Sequence, residues 1–339
     1  MIVAGIFGSN MKDNIGRIRA ICISERKGTP KTEVEEARFL ENFGIENDAH
    51  AGKWHRQVSL LEAEAVEAFK LSVRTVPDDP ENAETEPVEI LPGAFGENLL
   101  VEGIDLKALP CGSIFTIGDV RLKLTQRGKE CHEGCVIRKK TGDCIMPREG
   151  VFAEVIHGGC VRKGDTITVE TPSVDRPYRA AVITLSDKAS RGERKDESGP
   201  ILAGLLEGSG FEVIEELILP DEEPELVRNL IRLADNREAD LIITTGGTGF
   251  SERDITPEAT MKVSTKNAPG IAEAIRARSL EITPKAMLSR GASVIRNRTL
   301  IINFPGSPKA VRESFEVIEG VIGHGLGILT GREGECARK

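Results

Sequence analysis

The chain lacks any long hydrophobic run. Nowhere in its 339 residues do apolar side chains continue for the roughly 18 positions that a membrane span requires. No secretory leader is expected, since Met1-Ile-Val-Ala-Gly-Ile-Phe-Gly-Ser reads as too short for one and has no basic start, so the expected location is the cytoplasm. Excess positive charge is absent; the formal net charge is -9. That argues against a general basic surface for nucleic acid, while leaving room for a local basic pocket around a small anion. No internal repeat is visible. The seven cysteines contain no tight C-x-x-C pair, and in a cytosolic chain they do not suggest a disulfide framework. Cys22, Cys111, Cys131, Cys135, Cys144 and Cys160 fall in the first half, and Cys336 alone lies in the second.

What is present fits a soluble globular protein, with 39% hydrophobic and 29% charged residues, and the length suggests about two domains. Met11 is followed by Lys12-Asp13-Asn14-Ile15-Gly16, which makes residues 1–10 an expected dispensable extension. Val169-Glu-Thr-Pro-Ser-Val-Asp-Arg-Pro177 reads as a linker, placing domains at 12–171 and 178–330. Before it, short β-rich runs punctuated by Gly and Pro predict strands at Ile18–Ser24, Ile114–Ile117, Val120–Thr125, Phe152–Ile156 and Thr166–Thr171. Gly118-Asp119 is a hairpin signal. One helix is expected at about Leu60–Leu71, and the acidic, proline-bearing run from Val76 to Pro92 reads as a loop. The first domain is therefore expected to be mostly β.

After the linker, strands alternate with helices. Strands are expected at Ala180–Leu185, Phe211–Leu219, Asp240–Thr244 and Thr299–Asn303. Helices are expected near Gly199–Glu207, Glu223–Asn236, Pro257–Val263 and Ile271–Leu280, with a last one striped by Val311, Phe315, Ile318 and Ile322. The alternation predicts an α/β domain whose mostly parallel sheet is covered by helices on both faces. The run Leu241-Ile-Ile-Thr-Thr-Gly246-Gly247-Thr248-Gly249, followed by Arg253-Asp254-Ile255-Thr256-Pro257, puts a glycine turn and a carboxylate at the end of a buried strand, where open α/β sheets bind ligands. Glycines let a phosphate approach main-chain N–H groups closely. No Gly-Lys-Ser/Thr follows, so this is not a P-loop. Asp187, Asp221 and the turn Asn303-Phe-Pro-Gly306-Ser307-Pro-Lys309 should reach the same sheet edge. Taken singly, Asp221 also suits a helix N-terminus and Asp254 ordinary turn chemistry.

Five ordered motifs carry a resemblance across about Arg179–Leu329: Ser186-Asp187, Pro220-Asp221, the glycine turn with Arg253-Asp254-Ile-Thr-Pro-Glu-Ala, Ala286-Met-Leu-Ser289-Arg290 and Pro305-Gly-Ser-Pro-Lys309. Together they resemble the molybdopterin adenylyltransferases, the MogA/MoaB group of molybdenum-cofactor biosynthesis. The resemblance implies transfer of an adenylyl group from Mg-ATP to the terminal phosphate of molybdopterin, with release of pyrophosphate. It implies Asp221 and Asp254 as catalytic carboxylates that hold Mg²⁺ or its water shell. Gly246, Gly247, Thr248 and Gly249 would cradle phosphates, with Asp187 and Ser307 lining the site. Ser279 and Ser289 would lie near the pterin, and Arg290 and Lys309 would pair with anions. A trimer and a molybdate-insertion partner are implied by resemblance alone.

The first half shows Asp48-Ala-His50, Arg56-Gln-Val-Ser59, Gly96-Glu97-Asn98, Lys129-Glu-Cys131-His132-Glu-Gly-Cys135, Cys144 and Arg148. Across about Ile15–Val169 it is similar to the MOSC domain, the β-rich module of molybdenum-cofactor sulfurases. This implies cofactor binding and a sulfur-carrying role for Cys131, whose thiolate Lys129 and His132 would favour. His50, Arg56 and Arg148 would meet the anionic cofactor. Cys22, Cys111 and Cys160 read as buried small hydrophobes. A zinc or iron–sulfur site built from Cys131, Cys135, Cys144 and His132 is a competing reading. Two rivals to the enzymatic reading remain open: a carrier that stores the cofactor without turning it over, and a nucleotide enzyme of the same fold with another acceptor.

Overall fold

A computed structural model describes residues 14–74, 90–129 and 143–333, and the chain divides into two compact units, residues 1–172 and 173–339. The first contains strands β1 (Ile15–Ile23), β2 (Thr32–Val34), β3 (Glu36–Leu40), β4 (Gly44–Ile45), β5 (Val58–Glu62), β6 (Leu99–Glu102), β7 (Ile114–Ile117), β8 (Val120–Arg127), β9 (Val151–His157), β10 (Gly159–Arg162) and β11 (Thr166–Glu170). Helices α1 (Ala63–Arg74) and α2 (Met146–Glu149) accompany them. The sheet runs β11-β7-β8-β9-β5-β6-β1, and a further β11–β1 pairing closes it into a seven-stranded barrel. Closure depends on β1, whose first residues pair with β11 and whose middle pairs with β6 across a register shift between Ile18 and Ala20. Such an irregularity bends a strand and raises its twist. Ile18 and Ile21 face the barrel core, while Ala20 and Cys22 join an outer cluster with Phe69, Phe95, Met146 and Phe152.

The expected hairpin forms: Ile117 pairs with Val120, and Gly118 takes φ 56 between them. The expected helix at Leu60–Leu71 is partly a strand. Leu60 faces the barrel core and Leu61 the outer cluster, so both faces of β5 are buried and its alternation is invisible in sequence; the helix begins at Ala63.

The second unit holds β12 (Arg179–Leu185), β13 (Glu212–Leu219), β14 (Leu241–Thr245), β15 (Lys266–Asn267), β16 (Ser293–Arg296) and β17 (Thr299–Phe304). Its helices are α3 (Asp187–Ser190), α4 (Ser198–Gly208), α5 (Glu223–Ile231), α6 (Thr256–Lys262), α7 (Pro269–Ile282) and α8 (Pro308–Thr330). The sheet is mixed, in the order β13-β12-β14-β17-β16-β15. β13, β12, β14 and β17 run parallel, and β16 and β15 add antiparallel pairings at one edge. Alternate strand residues supply two apolar clusters. Val182, Ile243 and Ile302 pack with Leu202 of α4, Ile275 of α7 and Phe315 of α8. Ile183, Ile242 and Ile301 pack with Leu226 of α5 and Ala259 of α6. Because the four parallel strands share a direction, the loops after β12, β13, β14 and β17 all leave from the same sheet edge. Among the described residues no helix is long and apolar enough to cross a membrane.

Candidate active site

The glycine turn after β14 is shaped by close contacts. Gly246 has φ 100, and a Cβ there would lie 2.5 Å from the Leu185 carbonyl oxygen. Gly247 has φ 62, and a Cβ there would lie 2.4 Å from Thr256 Oγ1 and 3.2 Å from Asp221 Oδ1. Both positions therefore need glycine for backbone conformation and for space. Thr256, at the start of α6, fixes the turn by donating its hydroxyl to the Gly246 carbonyl at 2.9 Å and its amide to the Gly247 carbonyl at 3.1 Å. The β17 loop abuts the same turn: Thr245 Oγ1 donates to the Pro305 carbonyl at 2.8 Å. Among the described residues, no group accepts a hydrogen bond from the backbone amides of Gly247, Thr248 or Gly249. Three successive amides with no acceptor among the described residues form the kind of concavity that takes a phosphate.

Carboxylates stand on both sides of this turn. Asp221 approaches Gly247, and Asp254 approaches Gly249, where a Cβ would lie 2.9 Å from Asp254 Oδ2. Asp254 Oδ2 also accepts the Ser251 amide at 2.8 Å. Asp187 and Asp221 bind each other reciprocally: the Asp187 amide donates to Asp221 Oδ2 at 3.0 Å, and the Asp221 amide to Asp187 Oδ1 at 3.1 Å. Burial pushes the Asp221 carboxyl above its usual range, helped by the neighbouring Asp187 and Asp254 charges. The Arg253 guanidinium holds Asp187 below its usual range. No group of three or more His, Cys, Asp or Glu side chains among the described residues converges as a metal cage. Two carboxylates beside a phosphate turn nevertheless suit Mg²⁺, which commonly binds through one or two carboxylates and the substrate's own phosphates.

The remaining expected site residues divide. Arg290 reaches the turn: its Nε donates to the Gly249 carbonyl at 2.6 Å, its Nη2 to the Asp254 carbonyl at 2.5 Å, and its Nη1 pairs with Glu258. A cleft of about 550 Å³ opens here, lined by Phe250, Ser251, Asp254, Glu258 and Arg290 among others. The Ser289 carbonyl accepts from Arg276 at 2.9 Å. Ser279 lies near the end of α7 and lines neither the turn nor this cleft. Ser307 caps α8, accepting the Ala310 amide at 3.3 Å. Lys309 is 80% exposed and lies 3.6 Å from Glu313, so it is not drawn to the glycine turn. Sequence reasoning missed Arg253, Glu222 and Phe250. Arg253 opens the run Arg253-Asp254-Ile-Thr-Pro-Glu-Ala, and a cation beside a carboxylate at a strand end was the available signal.

In the first unit, Lys31 and Asp48 form an ion pair with both side chains 0% exposed. Asp48 also accepts the Ser24 and His50 amides, and the His50 ring lies 3.2 Å from Lys31 Nζ. His50 is thus tied into a buried network. Arg56 stacks over Trp54 at 4.8 Å and faces Phe152 at 5.8 Å, while Lys129 lies 5.9 Å from the Phe152 ring. Arg148 forks onto Asp143 at 2.8 and 3.2 Å. Cys131, Cys135 and His132 lie outside the described residues. Cys144 sits buried in the outer apolar cluster. Cys160, expected to be buried, is exposed: the alternation of β10 turns Val161 inward and its neighbours outward.

The Gly-Glu-Asn motif is architectural here. Asn98 accepts from the Ser59 amide and hydroxyl and donates to the Cys22 carbonyl. Glu97 accepts the Gly93 and Phe95 amides at 2.7 and 3.0 Å. Burial pushes its carboxyl up to about 7, against those hydrogen bonds. A carboxyl with a raised folded pKa keeps a proton that the unfolded chain has already released. Its contribution is therefore most favourable below about pH 4.5 and declines as pH rises to about 7, by about 3 kcal/mol. Glu97→Gln is expected to flatten that slope, read as urea midpoints at pH 5 and pH 8; an unchanged slope rules out Glu97 as its source.

Comparison with known proteins adds to this geometry. A family model described as a probable molybdopterin binding domain matches residues 181–324, and the MOSC domain model matches residues 47–168. A molybdopterin adenylyltransferase of Helicobacter pylori (strain J99) is 41% identical over 152 residues, spanning 44% of this chain and 86% of that protein. One from Escherichia coli (strain K12) is 38% identical over 155 residues, spanning 44% of this chain and 79% of that protein. The molybdenum cofactor synthesis protein cinnamon of Drosophila melanogaster is 41% identical over 150 residues, a quarter of its own length.

Proposed function

This chain belongs to the molybdopterin adenylyltransferase family and carries a MOSC domain, and from that premise we propose that its second domain, residues 178–330, adenylylates molybdopterin using Mg-ATP. The observation that carries this reading is the turn Gly247–Gly249, whose amides have no protein acceptor among the described residues, set between Asp221 and Asp254. It lies at the carboxyl edge of what we read as a mostly parallel sheet covered on both faces, the usual ligand edge of such sheets.

Transfer of an adenylyl group requires positioning and charge neutralisation rather than covalent help from the protein. The turn's amides would hold phosphate oxygens in line for attack by the terminal phosphate of the pterin substrate. Asp221 and Asp254 would hold Mg²⁺, which supplies neutralisation of the charge developing on the leaving pyrophosphate. Arg290, braced on Gly249 and Asp254, fixes the shape of the cleft where the acceptor would lie. Phe250, 70% exposed on that cleft, offers a ring face to a planar heterocycle. Phe250→Ala is expected to raise the KM for molybdopterin about tenfold, with a smaller change in kcat, on the scale of about 1–3 kcal/mol per stacked ring; unchanged steady-state constants would remove Phe250 from the site.

For the first domain, residues 12–171, we assign molybdenum-cofactor binding. Arg56, Lys129, Trp54 and Phe152 bring two cations and two ring faces together, a chemistry suited to an anionic planar ligand. Cys131 is the assigned sulfur carrier, with non-catalytic carriage as the second reading. Covalent fusion would raise the effective concentration of the intermediate passed between domains. The assembly we envisage is a cytoplasmic trimer serving a molybdate-insertion protein. The test is pyrophosphate release by the full chain: it should require molybdopterin, ATP and Mg²⁺ together, and release that ignores molybdopterin refutes the assignment.

A further inference from the structure

Arg253 makes three side-chain hydrogen bonds at the site that the adenylylation chemistry above does not use. Its Nε and Nη2 fork onto Asp187 at 3.1 and 2.8 Å, and its Nη1 reaches Glu222 at 2.9 Å. Asp187 opens the short helix α3 after β12, Glu222 lies on the loop after β13, and Arg253 on the loop after β14. One guanidinium therefore ties together the segments that follow three strands, on the β14 loop that begins with the amides of Gly247–Gly249. It adjoins Asp254 in sequence, and Asp187 is itself bonded to Asp221.

We propose that Arg253 is a displaceable clamp: its guanidinium exchanges the carboxylates of Asp187 and Glu222 for the phosphates of an entering polyphosphate, making it a positioning residue for the nucleotide. This rests on the nucleotide reading of the glycine turn. Two features support release. The Arg253 side chain is 51% exposed, Glu222 54% and Asp187 28%, and an ion pair as wet as that to Glu222 is weak enough to exchange. An arginine fork that fits a carboxylate also fits a phosphate, in the same bidentate geometry. Glu222 is thus a competitor for the cation that the ligand needs.

The test is a double-mutant cycle on the full chain, using inorganic pyrophosphate as the probe, without divalent metal, with Kd from calorimetry. Glu222→Gln removes the competitor and should tighten binding by about three- to fivefold. Arg253→Gln should weaken it about tenfold or more. In the double variant the gain from Glu222→Gln should vanish, because Glu222 acts through Arg253. A Glu222→Gln gain that persists undiminished without Arg253 overturns the clamp, since it would then be a through-space charge effect; so does no gain at all. If the parent chain binds neither pyrophosphate nor Mg-ATP, the nucleotide reading falls and the clamp with it. If Mg-ATP is bound and used while the cycle is additive, the clamp alone falls.

Discussion

Asp221→Asn and Asp254→Asn should each lower adenylyl transfer by about 10²–10³-fold or more in kcat, the scale seen when one preorganised electrostatic partner is removed, while the fold survives. The survival follows from the local bonds. Asp221 accepts the Asp187 amide, and Asp254 accepts the Ser251 amide; an asparagine carbonyl can accept the same bonds. What disappears is charge beside the glycine turn. Asp221 is held above the usual carboxylate range by burial and by its acidic neighbours, so it takes up a proton at a higher pH than an ordinary aspartate. The wild-type rate should accordingly fall on the acid side as Asp221 is neutralised, and the Asp221→Asn variant should lose that limb. Pyrophosphate release against pH, with circular dichroism to check folding, decides the matter. Two variants turning over at the parent rate would show that neither carboxylate serves catalysis.

The largest stability effect should come from Lys31→Met, at about 3–5 kcal/mol, because breaking a buried pair strands the remaining charge. Lys31 and Asp48 are both fully buried. Burial opposes the Asp48 charge, yet hydrogen bonds from His50 and Lys31 outweigh it and hold the carboxyl well below its usual range. A depressed carboxyl contributes stability above the ordinary carboxylate pKa and loses it as pH falls through the folded value. Removing Lys31 should reverse this. The isolated carboxyl then prefers its proton, so Lys31→Met should be least impaired in acid. Adding Asp48→Asn should recover part of the loss, since the asparagine can still accept from the Ser24 or His50 amide. Urea titrations of the parent and the two variants at pH 5 and pH 8 test this; a Lys31→Met chain as stable as the parent at both pH values would contradict the buried-pair account.

How much could be read from the sequence varied with how local the cause was. Val120 and Ile117 pair across Gly118-Asp119 as the turn chemistry required, because a two-residue turn sets its own register. The glycine turn was legible for the same reason: φ 100 and φ 62 at Gly246 and Gly247 are conditions that residue type announces. Leu60 and Leu61 misled, since a strand buried on both faces has no alternation. The antiparallel edge made by Ser293–Arg296 went unseen although its cause is local: Arg296 pairs with Thr299 across the two-residue turn Asn297-Arg298, with Asn297 at φ 53, a turn without the glycine that marks Gly118-Asp119, and only the pairing with Lys266-Asn267 joins a distant segment. The Arg253 clamp was illegible because its partners, Asp187 and Glu222, lie 66 and 31 positions away and meet only once the parallel strands align. Cys160 shows the opposite error, a residue type whose average burial was overruled by the face of its strand.

The most direct measurement incubates the full chain with molybdopterin and Mg-ATP and identifies the products by mass. The account predicts molybdopterin carrying one added adenylyl group, with one pyrophosphate released for each ATP consumed. ATP left intact, or consumed with molybdopterin unmodified, would contradict it.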